Sequence, residues 1–276
     1  MKVLIFGVML FAVSCLFSSC HTSSSTPTPE VVYIPWNMDG MMPSHVFVIN
    51  GSSILTTNGI LVACKVSGSI PDTNGVPHSF TSNWETALFK TAISNSFTGG
   101  VSDVRFNGVP LTTGDDSAFT HHDLSPVWID GGSNTWHVGG SGYVPAFDAD
   151  ANAAMPAFAG SLPVTLSKTV DFTYTFNASN TSNADSVYVV IQGKDGPWYS
   201  NPVSARSGGI AKIPASKMSL VMDCTYCNVT DNMATSPYHK GGLIAFVLYN
   251  HKSIIVGKKQ YDLVNQRVYL GVVSYP

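Results

Sequence analysis

The chain has 276 residues, a formal net charge of −3 and only 11% charged residues, together with 24 Gly and 16 Pro. Average soluble domains carry about 25% charge, and without a basic excess the chain lacks the electrostatic footprint of a nucleic-acid partner. Its length allows one large all-β domain or two of ordinary size.

Met1 and Lys2 form a short positive region, and Val3 to Val13 run almost without a polar atom before Ser14, the layout of a secretory signal. A transmembrane helix needs roughly 18 or more apolar residues, and this run is broken by Ser14, Cys15, Ser18, Ser19 and Cys20. Residues 1–19 are therefore expected to be an export signal. The segment Leu16-Phe17-Ser18-Ser19-Cys20 resembles a lipobox, with Phe17 where leucine is commoner, and marks Cys20 as the lipidation site; Cys15 is the rival. Acyl chains on Cys20 would supply the membrane as a partner. The following His21-Thr22-Ser23-Ser24-Ser25-Thr26-Pro27-Thr28-Pro29 has too little apolar surface to fold, so residues 20–31 read as a tether. It has no acidic residue before Glu30. In Bacteroidota, acidic residues there favour surface display, so an outer-membrane lipoprotein on the periplasmic face is expected.

The body divides by charge. From Cys20 to Gly160 there are 3 Lys/Arg against 11 Asp/Glu, and from Ser161 onward 10 against 6. This break suggests two β-sandwich domains, an irregular one over 32–160 and an immunoglobulin-like one over 161–276. Opposite-sign faces docking together would explain the asymmetry, and so would cation binding by the acidic half.

In the first half, Val46-Ile49, Ile60-Val66, Val101-Phe106 and Trp136-Phe147 read as strands, with turns at Asn50-Gly51, Asn58-Gly59 and Asn107-Gly108. Ser82-Asn83-Trp84-Glu85 fits a helix-capping box, yet the residues to Phe89 also alternate, and the β surroundings favour a strand. Cys64, amid apolar neighbours, reads as a small buried hydrophobe.

The second half offers Val170-Phe176, Val187-Ile191, Ile210-Ile213, Ser219-Met222, Leu243-Tyr249, Ser253-Val256, Gln260-Val264 and Val268-Val273 as strands at sandwich spacing. In the first of these, aromatic residues alternate with Asp and Thr, so one face should be buried and the other wet.

Val104–Leu111, Trp136–Phe147 and Ala184–Ile191, in that order, resemble segments of uncharacterised β-rich cell-envelope lipoproteins of Bacteroidota. The resemblance implies a cell-envelope location and two sandwich modules, and it brings no catalytic residues with it.

Candidate chemistry is sparse. Asp148, Asp150 and Asn152 place oxygen ligands at alternate positions, as the first half of a calcium loop does, but Ala153 and Ala159 stand where an EF-hand needs Gly and Glu. Ca²⁺ is the one cofactor suggested. Asp115, Asp116, His121, His122 and Asp123 read as one polar loop that could bind zinc or serve as acid and base. Asp116-Ser117-Ala118 also resembles the O-glycosylation motif of exported Bacteroidota proteins. Cys224-Thr225-Tyr226-Cys227, read as a turn, is a candidate disulfide in an oxidising compartment; zinc would recruit His239 and His251 but fits no common finger. Trp128, Trp136, Trp198 and Tyr199 could stack on a glycan or pack in the core. No nucleophile elbow, H-E-x-x-H pair, phosphate-binding loop or paired catalytic Glu pattern occurs in the mature chain. The expectation is a noncatalytic envelope protein that binds or assembles with another envelope component, with a glycan-binding module as alternative. An Asp/His hydrolase using His121 or His137 ranks below both.

Overall fold

The computed structural model describes residues 30–34, 45–49, 57–71, 76–90, 100–113, 119–123, 134–151, 154–193, 196–221, 224–228 and 238–276. Almost every element is a strand. In the first half these are β1 (Glu30–Ile34), β2 (His45–Ile49), β3 (Gly59–Pro71), β4 (Pro77–Phe89), β5 (Val104–Phe106), β6 (Val109–Pro110), β7 (Thr112–Thr113), β8 (Phe119–Asp123), β9 (Thr135–Val138) and β10 (Phe147–Asp150). The second half holds β11 (Ala157–Phe158), β12 (Phe172–Phe176), β13 (Thr181–Ser182), β14 (Ser186–Gly193), β15 (Gly196–Tyr199), β16 (Val203–Ser204), β17 (Gly209–Ile213), one helical turn α1 (Ala215–Met218), β18 (Cys224–Asn228), β19 (Tyr238–Val256) and β20 (Lys259–Val273).

One ten-stranded sheet organises the body, in the order β15-β14-β19-β20-β3-β4-β8-β7, with β16 beside β14 and β18 beside β19. Its centre is the reason the all-β expectation holds. Ile60, Leu61, Val62, Ala63, Cys64 and Val66 are all at 6% exposure or less, and a continuous apolar run suits a strand buried on both faces. β3 pairs antiparallel with β4 and parallel with the last strand, β20. Strands from both sides of Gly160 thus share one sheet. The boundary expected there does not separate two sheet systems, because the charge asymmetry that suggested it describes side chains rather than backbone pairing.

Two covering layers lie on one face of this sheet, called here the second face. The four-stranded sheet β10-β9-β5-β6 sets Val104, Phe106, Trp136, Val138 and Phe147 against Leu61, Ala87, Phe89, Tyr261 and Leu263. The paired strands β12-β17 and β11-β13 set Phe158, Phe172, Phe176, Ala211 and Ile213 against Val187, Val189, Ile244, Phe246 and Leu248. Phe158 is a hub there, with the rings of Phe246, Tyr269, Tyr174 and Phe176 centred 5.3 to 6.1 Å away. Burying each such ring contributes about 1.5–3 kcal/mol. The first face carries a third apolar cluster that includes Ile60, Val62, Cys64, Trp84, Tyr188 and Val247.

Several local expectations hold. β12 alternates, with Phe172 and Phe176 buried and Thr173 and Thr175 exposed. Residues 82–89 are strand, and Asn107-Gly108 forms the turn between β5 and β6, both residues having positive φ. Cys64 is buried. Asn50-Gly51 lies outside the described residues.

Other expectations are corrected. Trp136–Phe147 is not one strand: β9 and β10 are antiparallel neighbours joined by residues 139–146. Ser219–Met222 was expected as strand, but α1 precedes it and no named strand covers its described residues 219–221, because Pro214 starts the helical turn and Asp171 Oδ1 accepts the Ala215 N–H at 2.7 Å. The four C-terminal strand segments merge into two long strands, β19 and β20, because the polar residues between them stay in register across the pair. Glu30 and Val31, expected within the tether, lie in β1, and residues 20–29 lie outside the described residues.

Candidate functional site

Cys20, Cys15, Asn152, Asp115, Asp116, Ser117, Ala118 and Trp128 lie outside the described residues. Asp148 and Asp150 do not sit in a loop. They belong to β10, and the period-2 pleat puts them on the same side of that strand. Asp148 Oδ1 is 2.6 Å from His137 Nδ1, whose Nε2 is 3.6 Å from Asp103 Oδ2. Arg105 Nε donates to Asp103 Oδ1 at 2.6 Å, and that hydrogen bond is the main reason the Asp103 carboxyl is held below its usual range. The backbone carbonyl of Asp150 accepts from Lys252 Nζ at 2.7 Å. Among the described residues no group of three or more His, Cys, Asp or Glu is placed to hold a metal ion.

His121 belongs to strand β8, whereas the sequence suggested a loop. Its Nδ1 lies 3.3 Å from Oε2 of fully buried Glu85 on the neighbouring β4. His137 lies in a different sheet. The carboxylates of Asp115 and Asp116, which the hydrolase reading sets beside His121 or His137, lie outside the described residues.

The backbone of Cys224 and Cys227 is a strand, not a turn, with a register shift between the two residues. The register sets Cys227 across from His239. An extended strand separates residues i and i+3 by about 10 Å, beyond the Cα spacing of a disulfide, so a bridge requires tight folding at that shift.

Trp198 and Tyr199 are consecutive on β15 and face opposite ways. Trp198 packs against the second-face cluster, with Lys217 Nζ 3.9 Å from its ring centre. Tyr199 packs against the first-face cluster, its ring 6.4 Å from that of Tyr188. They form no common platform. Trp136, at 1% exposure, is core.

The most organised polar constellation is one that the sequence reading missed. It begins at Asn250, buried in β19, whose Nδ2 donates to Ala154 O at 3.1 Å and to Asn183 O at 2.9 Å. Next along β19, the His251 backbone N–H donates to Asp185 Oδ2 at 3.1 Å, while Arg206 Nη2 donates to Asp185 Oδ1 at 2.6 Å. These residues, with Asn183, Lys252 and Thr181, line a polar pocket of about 610 Å³ beside β19.

On β20, fully buried Asp262 collects donors on Oδ1: Ser253 Oγ at 2.6 Å, His251 Nε2 at 3.0 Å and Gln260 Nε2 at 3.3 Å. Burial alone would raise the Asp262 carboxyl, but the hydrogen bonds and the His251 charge outweigh it and hold the group below the usual carboxylate range. Ser253 Oγ is 3.4 Å from His251 Nε2, yet its proton goes to the carboxylate. A serine nucleophile would need its proton on the imidazole. The arrangement holds one buried negative charge. Its sequence signal was present in the spacing: His251 and Ser253 share a face of β19, and the hairpin register sets Asp262 opposite Ser253.

No protein-family model matches the chain, and no curated protein matches it. Among solved structures, 80% of the chain is similar to 95% of the titin Ig tandem domains A164-A165, at 8% identity and a TM-score of 0.19. A second likeness relates 78% of the chain to 98% of the yeast delta-COP-I mu-homology domain complexed with a Dsl1 WxWxV peptide, at 7% identity and a TM-score of 0.20. With scores this low, the all-β architecture rests on this chain's own strands.

Proposed function

We propose that the protein is a lipid-anchored component of a bacterial cell envelope, carried on Cys20 at the periplasmic face of the outer membrane, with a noncatalytic binding or assembly role. The observation that carries this reading is Leu16-Phe17-Ser18-Ser19-Cys20 after the apolar run from Val3 to Val13, followed by a Ser/Thr/Pro tether. Among the described residues no helix is long and apolar enough to cross a membrane. Histidine–carboxylate contacts tie elements of the body together: Glu85 with His121 across β4 and β8, His137 with Asp148 across β9 and β10, and His251 with Asp262 across β19 and β20. The test is radiolabelled palmitate incorporation combined with protease shaving of intact cells. The wild type should take up label and resist shaving. A Cys20→Ala variant that still labels would sink the anchor assignment.

The polar pocket beside β19 favours glycan binding as a second reading, because Asn183, Asp185, Arg206 and Asn250 present fixed donors and acceptors suited to hydroxyl groups. A glycan array checks it. Signal that disappears with Arg206→Ala supports the pocket, and an array without signal removes this reading.

A further inference from the structure

We propose that the outer edge of β19 from His251 to Ile255 is a docking edge for an extended acidic peptide segment, which joins the ten-stranded sheet there as a further strand.

The edge exists because β14 is shorter than its neighbour. β14 pairs with β19 only from Ile244 to Tyr249, whereas β19 runs on to Val256 against β20. Past Tyr249, no strand among the described residues lies on the outer side of β19.

The hairpin decides which backbone groups face that side. Val256 and Lys259 close the turn Gly257-Lys258, and in a hairpin of this length the closing residues bond to each other. Stepping back by two, Ile254 and Lys252 turn their N–H and C=O groups to β20, so His251, Ser253 and Ile255 turn theirs outward. The His251 N–H agrees with this phase: it donates outward to Asp185 Oδ2 at 3.1 Å. The Asp185 side chain therefore takes the place of a neighbouring strand at His251 and goes no further. Beyond it, Ser253 and Ile255 present outward N–H and C=O groups that no other segment bonds among the described residues. Ser253 is exposed, and Ile255 is 77% exposed.

Charge selects the occupant. Arg206, 81% exposed and held by Asp185, stands at the Tyr249 end of the edge, and exposed Lys258 stands in the turn at the other end. Residues 251–256 between them include no carboxylate. The charge of Asp185 is already met by Arg206 and by the His251 N–H. A second copy of this edge, laid antiparallel, would set each Lys258 near the other copy's Arg206, and a parallel copy would set Lys258 beside Lys258; like charges across a strand pair destabilise it. An extended segment with Asp or Glu at both ends meets a cation at each end instead. Its backbone bonds to Ser253 and Ile255, as strand addition requires, and the Ile255 side chain offers it an apolar contact.

The proposal rests on the reading of the chain as a noncatalytic binding or assembly protein. Failure of palmitate labelling would remove the anchor and leave this edge as it is, and an empty glycan array would likewise leave it standing.

The test uses the full chain in detergent and fluorescent peptide probes of about seven residues, roughly 23 Å when extended. One probe alternates Thr and Val with Glu at both ends, a second has Lys at both ends, and a third is the acidic probe N-methylated at its central amides. Fluorescence anisotropy should show binding of the acidic probe and at least about tenfold weaker binding of the other two. Ile255→Pro removes an outward N–H at a place where an edge strand tolerates proline, and it should weaken the acidic probe at least about tenfold, whereas Ile255→Ala should stay within about threefold of wild type. Lys258→Glu should weaken the acidic probe and favour the Lys-ended one. On binding, hydrogen exchange should slow at the Ser253 and Ile255 amides and stay unchanged at Ile254, which already bonds to β20. No binding of the acidic probe at about 1 mM, equal binding of the acidic and Lys-ended probes, or equal binding by Ile255→Pro and Ile255→Ala overturns the proposal. A dimer of the free protein that Ile255→Pro dissolves also overturns it, by making a second copy the occupant. If Ile255→Pro fails to fold, the exchange pattern decides.

Discussion

Asn250 of β19 stands directly opposite Asn265 of β20, both buried in the middle of two strands that their polar residues would break if read alone. The Asn250 amide donates to Ala154 O, on the passage between the two covering layers, and to Asn183 O, just after β13. Buried polar groups persist in a sheet when they are hydrogen-bonded, and this one also fixes two irregular segments to the sheet.

Replacing Asn250 with Leu strands both carbonyls without a donor and should cost about 2–3 kcal/mol of unfolding free energy. Asn250→Asp keeps the shape but turns the donor into an acceptor and should cost at least as much. Urea titration of the purified body reads both, and a loss below about 0.5 kcal/mol for Asn250→Leu would show that the clamp is not needed.

The buried carboxylate of Asp262 predicts an acid-dependent stability. Its folded-state pKa is depressed, so it adds stability that is fully present above the unfolded value near 4 and is lost as pH falls through the folded pKa. Asp262→Asn should be less stable at pH 7 and show a flatter decline of melting temperature below about pH 4. Parallel slopes for the two proteins would refute the assignment.

Gly241 in β19 has φ +101, and a Cβ there would collide with the Val273 carbonyl oxygen of β20. Neither the dihedral nor the space suits an L side chain. Gly241→Ala should therefore destabilise by about 2 kcal/mol or more, measured by thermal unfolding. An unchanged midpoint would contradict this register.

Trp198 and Tyr199 should act independently. Lys217→Gln removes the cation over the Trp198 ring, should change tryptophan emission, and should cost no more than about 1 kcal/mol. In a stability double-mutant cycle, Trp198→Ala and Tyr199→Ala should be additive within about 0.5 kcal/mol. A larger coupling would mean that the two rings share one surface.

Much of the secondary structure was legible because it is local. The apolar run of β3, the alternation of β12 and the Asn107-Gly108 turn each state their conformation within a few residues. The site was less legible. Asn250-His251-Lys252-Ser253 and Asn265-Gln266-Arg267 look like breaks, since a polar side chain shows its partner only when a distant segment folds against it. Asp262 was unremarkable until the hairpin register brought it to His251 and Ser253.

By itself, then, the amino-acid order determined an all-β body of short-range patterns and raised the expectation of an exported, acylated chain centred on Cys20. The tertiary structure decided that β20 lies parallel to β3 and joins both halves in one sheet, that Trp198 and Tyr199 part company, and that a buried carboxylate meets His251 and Ser253. The division has a physical cause. Pleat and turn geometry are set by neighbours in sequence, whereas strand partners, burial and charge pairing depend on contacts between residues such as Gly59 and Tyr261, about 200 positions apart, which no local pattern encodes.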